Sequence, residues 1–194
     1  MLYPPFMLLN RPIANVFVIC AAVLQGLAQS AQSEPIDALM EPQAYEIYAI
    51  VLQRAWAGHP SPLLLQRETA ALKRCGGFLS QLKGDWAEVA ADFERRITRV
   101  RTLAPAVPIK IPYQLIARAD IEADDERLAR RYPGVWQRRP ESMEFAAVSV
   151  VGFDRAHTRA MVYAATRMRG GIARFEMRNG EWVDAPGDTC GWIA

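Results

Sequence analysis

Two histidines, three cysteines, a run of carboxylates and an arginine–aromatic stretch are the residues of this 194-residue chain that carry chemistry. His59 lies in a proline-rich loop and His157 in a turn, and neither has a metal-ligand partner at the required spacing. Glu122, Asp124, Asp125 and Glu126 are paired carboxylates of the kind that do acid–base or metal work. Neighbouring positions on a helix point in different directions, however, so their spacing fits a solvated helix face better. "RRYPGVWQRRP" interleaves Arg130, Arg131, Arg138 and Arg139 with Tyr132 and Trp136. Arginine beside an exposed aromatic holds anionic or sugar-like ligands by charge pairing and stacking. The competing reading is a helix-to-sheet loop with Trp136 packed inward and the arginines in water. The chain has no CxxC, HExxH, GxSxG or GxxxxGK[ST] motif, so the sequence names no catalytic, cofactor-binding or metal residue.

The cysteines direct attention to a compartment. "MLYPPFMLLNRPIANVFVICAAVLQGLAQSAQSEP" places Arg11 before an apolar run from about Ile13 to Leu27, followed by small residues. That order matches a secretory signal peptide over residues 1–33, with cleavage expected near Ala28 to Ser33. Met7 offers an alternative start. Asn15 and Gln25 interrupt a run already short for a membrane anchor, and Ile19 before Cys20 does not fit a lipoprotein site. Cleavage removes Cys20, leaving Cys75 and Cys190 either bridged, as an oxidising compartment favours, or buried as unreactive thiols.

The elements that must position these residues follow from periodicity. Tyr45, Tyr48, Leu52 and Trp56 recur at spacings of three and four and predict an amphipathic helix ended by Gly58. "PLLLQRET" predicts a short buried strand. "GDWAEVAADFERRITRVRTLAP" predicts a helix with Trp86, Val89, Phe93, Ile97 and Val100 on its apolar face, and Asp85 with Glu88 forming a capping box. "PYQLIA" predicts another strand and "IEADDERLARRYP" a helix capped by Asp120. "FAAVSVVGFD", "TRAMVYAATR", "GIARFEMR" and "EWVD" then predict an antiparallel meander. In it, Asn179-Gly180 forms a type I′ turn that sets Arg178 opposite Glu181 and Met177 opposite Trp182. Alternation sends Ala173, Phe175 and Met177 inward and Arg174, Glu176 and Arg178 outward. "GWIA" supplies a last edge strand. The expected architecture is one α+β domain over residues 34–194, with N-terminal helices covering one face of a C-terminal antiparallel meander.

"VGFDRAHTRAMVYAATRMRGG", "ARFEMRNGEWV" and "CGWIA", with "YEIYAIVL", "LLLQRET" and "PYQLIARADI" upstream, resemble a family of exported bacterial proteins without an assigned activity. The chain departs from that family at "RMRGGIARFEM", where the relatives carry a longer glycine-rich, tyrosine-containing loop. The resemblance rests on strand and turn residues. It implies a fold and export to the periplasm or cell surface, and it supplies no catalytic residue.

A formal net charge of +2 gives no global field for nucleic acid or anionic lipid. The expected function is a non-enzymatic binding or accessory role toward a protein or small molecule, with a hydrolase acting on cell-envelope material as the alternative. No cofactor is expected, no nucleic-acid partner, and no membrane contact beyond an uncleaved signal segment.

Overall fold

The computed structural model describes residues 42–59, 61–72, 74–105, 107–132 and 143–193. The signal peptide expected over residues 1–33 therefore lies outside the described residues, as do Trp136, Arg138 and Arg139.

Helix α1 spans Pro42–Trp56, and Ile47, Tyr48, Val51, Leu52 and Trp56 on its apolar stripe are buried. Strand β1 is Leu63–Gln66, the single-turn helix α2 is Gly76–Leu79 and helix α3 is Asp85–Ile97. Strand β2 (Tyr113–Ile116) and helix α4 (Arg118–Arg131) come next, then strands β3 (Ala146–Phe153), β4 (Arg159–Thr166), β5 (Arg169–Arg178), β6 (Glu181–Asp184) and β7 (Gly191–Ile193).

The strands make one sheet in the order β2-β1-β3-β4-β5-β6, with β7 also paired to β5. The expected meander is present from β3 to β6, and Asn179 and Gly180 both take the positive φ of a type I′ turn, 53° and 83°. Its register is the expected one, Arg178 opposite Glu181 and Met177 opposite Trp182. The Arg178 guanidinium nevertheless pairs with Glu176, at 2.9 Å. The sheet is mixed rather than wholly antiparallel, because β1 runs parallel to both β2 and β3.

Helices cover both faces of the sheet, not one. On the first face α1 packs on Val148, Val151, Phe153, Val162 and Phe175. On the second, Val89 and Phe93 of α3 pack with Leu79, Met161, Tyr163 and Ile172. A Cβ at Gly152 would lie 2.5 Å from the Phe93 Cβ and 2.7 Å from its backbone nitrogen. That glycine is what lets α3 lie directly on β3.

This second layer corrects the expectation for Arg174. Alternation does turn it away from Phe175, but the far face is covered, so Arg174 is buried. Its guanidinium sits 4.8 Å from the Trp86 ring and 6.0 Å from that of Phe78, and donates to the Pro186 carbonyl at 3.0 Å.

Two helix boundaries also differ. Gly84 is the N-cap of α3, so Asp85 is its first residue and forms no capping box; instead it pairs with Arg159 at 2.8 Å. The helix ends at Ile97, which leaves Val100 outside the stripe and exposed. Asp120 lies inside the first turn of α4, where its carboxylate accepts the Ala117 N–H at 3.2 Å.

Strand β3 shifts register between Val148 and Val151. Ser149 Oγ fills the gap in the ladder, accepting the Tyr163 N–H at 2.9 Å and donating to the Val150 carbonyl at 2.7 Å. The buried Tyr48 hydroxyl donates to the Ser149 carbonyl at 2.7 Å. Burial and the nearby Tyr45 hold its pKa well above the usual tyrosine value, so it serves as a fixed donor.

Candidate functional site

Tyr163 and Ala165 of β4 face α3, while Val162 and Ala164 face α1. Strand β4 is interior, flanked by β3 and β5, yet Ala164, Ala165 and Thr166 at its C-terminal end are only partly covered. Helix α1 stops at Trp56, and α3 covers the other end of the strand, around Met161. Alanines stand at this end where larger side chains would fill the space. The result is a cleft on each face, and the two share Ala165, Thr166 and Trp192 as walls.

The cleft on the α3/α4 face holds about 370 Å³. Ala70, Ala71, Ala147 and Ala165 line it with Tyr163, Trp192 and Phe145, while Arg118, Glu122 and Asp125 bring charge. Arg118 donates to the Thr69 carbonyl at 3.0 Å. Arg167, also on the wall, clasps α4 to the β4–β5 hairpin through Asp125 and, at 3.4 Å, Asp124. For Asp124, burial alone would raise the pKa. The Arg127 side chain, the Met143 N–H and the charges of Arg127 and Arg167 outweigh it, and the carboxyl is held below its ordinary value.

The groove on the α1 face is larger, about 640 Å³, and mostly apolar, with Thr166 and Arg169 as its polar side chains. Ala146, Ala164, Gly171 and Gly191 lie along its strands, Leu52 and Ala55 come from α1, and Trp192, Ile193 and Arg169 complete it. Ile193 is 83% exposed, a large apolar side chain left in water.

Trp192 is held from three sides. Its indole N–H donates to the Tyr163 hydroxyl at 3.0 Å, and the Arg74 guanidinium lies 4.8 Å from its ring. On the third side it lies over Gly170, where a Cβ would meet the indole nitrogen at 2.9 Å. The strand that carries it is anchored by a disulfide between Cys75 and Cys190, and the Cys190 carbonyl accepts the Ile172 N–H at 2.8 Å. The open alternative of two buried thiols is thereby resolved in favour of the bridge.

The other chemistry-bearing residues do not converge. His157 stacks on Phe153 with ring centroids 4.9 Å apart and meets Gln43 at the start of α1. His59 lies against Trp56 at the other end of that helix. Fifteen residues of helix put roughly 20 Å between the two imidazoles. Arg130 pairs with Glu126 on the surface of α4 at 3.6 Å, and Arg131 lies 5.6 Å from the Tyr132 ring. Neither arginine nor Tyr132 lines the two clefts. Among the described residues, no group of three or more His, Cys, Asp or Glu side chains is placed to hold a metal ion, and no helix is long and apolar enough to cross a membrane.

From sequence Trp192 falls at a sheet edge beside Cys190, and nothing in its immediate neighbours marks it as a site residue. Its signal was the small residues opposite it, Gly170 and Gly171 in "RMRGG" and Ala164 and Ala165 in "YAAT". Their joint effect emerges only once the strands are paired. Comparison of the chain with family models, with curated proteins and with solved structures finds no match in any of the three.

Proposed function

We propose that this chain is a non-enzymatic ligand-binding protein acting outside the reducing cytosol, in the periplasm or at the cell surface. Its site is the uncovered end of β4 around Trp192. The observation that carries the reading is that an interior strand is left partly bare on both faces, beneath an aromatic wall tied down by a disulfide. Concave, mostly apolar sites of a few hundred Å³ with a few polar groups are the usual form of a small-molecule site. The bridge supports the compartment, because disulfides persist where the medium is oxidising. The resemblance to exported bacterial proteins supports the same placement.

The described walls of the two clefts are chiefly aromatic, aliphatic and small side chains, with Arg118, Glu122, Asp125, Arg167 and Arg169 as their charges. Such a lining suits the holding of a ligand.

The test is a small-molecule screen read by the indole N–H resonances of the uniformly labelled protein. Binders are expected to move the Trp192 signal, assigned with Trp192→Phe, and to leave those of Trp56 and Trp182 in place. Binders that map elsewhere, or that bind the wild type and an Ala165→Trp variant of unchanged thermal midpoint equally well, would overturn the reading.

A further inference from the structure

The α1-face groove differs from its neighbour in the match between its floor and its one charge. Ala146, Ala164, Gly171 and Gly191 make an apolar floor of small residues across four strands, and Leu52 and Ala55 of α1 and Trp192 and Ile193 of β7 also line it. The sole charged lining residue is Arg169. Its guanidinium donates to the Ala55 carbonyl at 3.2 Å, and no carboxylate among the described residues forms an ion pair with it. One of five guanidinium donors is thus used, and the side chain stands exposed at the groove's rim with no counter-charge among the described residues. Arg54, the residue before Ala55 at the end of α1, is by contrast matched to Asp184 at 2.5 Å. An exposed apolar wall at Ile193, an apolar floor and an unmatched cation at one rim together describe a molecule with a hydrocarbon tail and an anionic head.

We propose that this groove binds a single-chain anionic amphiphile, its tail along the Ala164–Gly171–Gly191 floor and its head paired with Arg169. The proposal rests on the ligand-binding reading above and names the ligand class for one of its two clefts. The head-group oxygens replace water on Arg169, and the tail covers Ile193 and the bare Ala164. Gly191 has room for a side chain, since a Cβ there meets only the Gly170 carbonyl, at 3.6 Å. Filling that position occupies the ligand's space without displacing the protein's own backbone.

The experiment compares laurate, dodecanol and dodecylammonium by calorimetric titration below their micellar concentrations. Laurate is expected to bind about fivefold or more tightly than dodecanol, as a charge-assisted pair at a half-exposed rim allows, and dodecylammonium most weakly. Arg169→Gln is expected to bring laurate down to dodecanol while leaving dodecanol unchanged. Gly191→Leu is expected to weaken both about tenfold. Ile193→Ser, on an exposed side chain that cannot unseat the fold, is expected to weaken both several-fold, and keeps the test valid if Gly191→Leu lowers the thermal midpoint.

Equal binding of all three amphiphiles, or binding indifferent to Arg169→Gln, would overturn the proposal. So would amide shifts confined to β7 on adding an extended peptide, with no response to amphiphiles; that pattern marks edge-strand pairing instead. If amphiphiles fail while other compounds move Trp192 and the α4-face residues, this inference falls and the ligand-binding reading stands.

Discussion

At the turn between β3 and β4, Asp154 is buried yet charged, because the turn around it supplies its partners. Its carboxylate accepts the N–H groups of Thr158 and Arg159, at 2.7 and 2.9 Å, and the Thr158 hydroxyl at 2.7 Å. Burial alone would raise its pKa. The Arg159 and Thr158 backbone donors, the Thr158 hydroxyl and the Arg159 charge outweigh that and hold it below the ordinary value. A carboxyl whose pKa is depressed by folding contributes stability that is fully present above its unfolded value, about 3.9, and is lost as pH falls through the lower folded value. Stability should therefore decline as pH falls below about 4, and Asp154→Asn should lessen that decline while lowering stability at neutral pH. Denaturant midpoints measured from pH 7 down to pH 2 check this; an unchanged slope below pH 4 in the variant would refute it. This role was hidden in "VGFDRAHT", which reads as a turn from composition alone. Arg174 shows the same limit. Alternation gives the face a side chain takes, but what covers that face is decided by residues nearly a hundred positions away, at Phe78 and Trp86.

Elements were legible in proportion to how local their causes are. The β5–β6 hairpin is fixed by Asn179-Gly180 and two cross-strand pairs, all within a few residues, and its register follows from them. The α1 stripe is equally local, although the hydroxyl of Tyr48 has a second task at the β3 bulge that spacing does not reveal. The parallel pairing of β1 with β2 depends instead on contacts across a fifty-residue separation, Leu63 to Tyr113. The sequence supplied the strands without their partners. Strand β7 is the extreme case, since its three paired positions give it little hold of its own, and the Cys75–Cys190 bridge supplies the rest. In the chain-entropy model, closing a loop with a sequence separation of 115 contributes about 4–5 kcal/mol by restricting the unfolded chain. The Cys75→Ser/Cys190→Ser double variant should therefore lose roughly 3–5 kcal/mol, read as a lower denaturant midpoint. A second, local effect is expected in the native state: beyond the general rise in exchange that the lower global stability brings to β3 and β4, Ile172, whose acceptor is the Cys190 carbonyl, and Gly191–Ile193 should exchange through local opening and gain most. The same free-energy decrease at every strand would mean that β7 is held by pairing alone.

For the whole molecule, the bridge and the leader expected over residues 1–33 bear jointly on where the chain works. The three cysteines allow the two to be read separately. If the leader is removed near Ala28 to Ser33, Cys20 goes with it, and the two remaining thiols are consumed by the bridge. If the leader is retained, Cys20 contributes one thiol whether or not the bridge forms. If the chain stays in a reducing compartment, all three thiols remain free. The intact mass of the protein from its native host, alkylated before and after reduction, distinguishes these cases in one measurement. The expected result is a chain shortened by about thirty residues, taking up no alkyl group before reduction and two after it. One group before reduction on a full-length chain would mean export with the leader kept as an anchor. Three groups on a full-length chain would place the protein in the cytosol, and with it a β7 lacking its tether and a Trp192 wall held only by Tyr163, Arg74 and three strand pairs. The site around β4 would then have to be sought in a molecule whose last strand frays, so the compartment decides not only where a ligand is met but whether the groove that receives it is built.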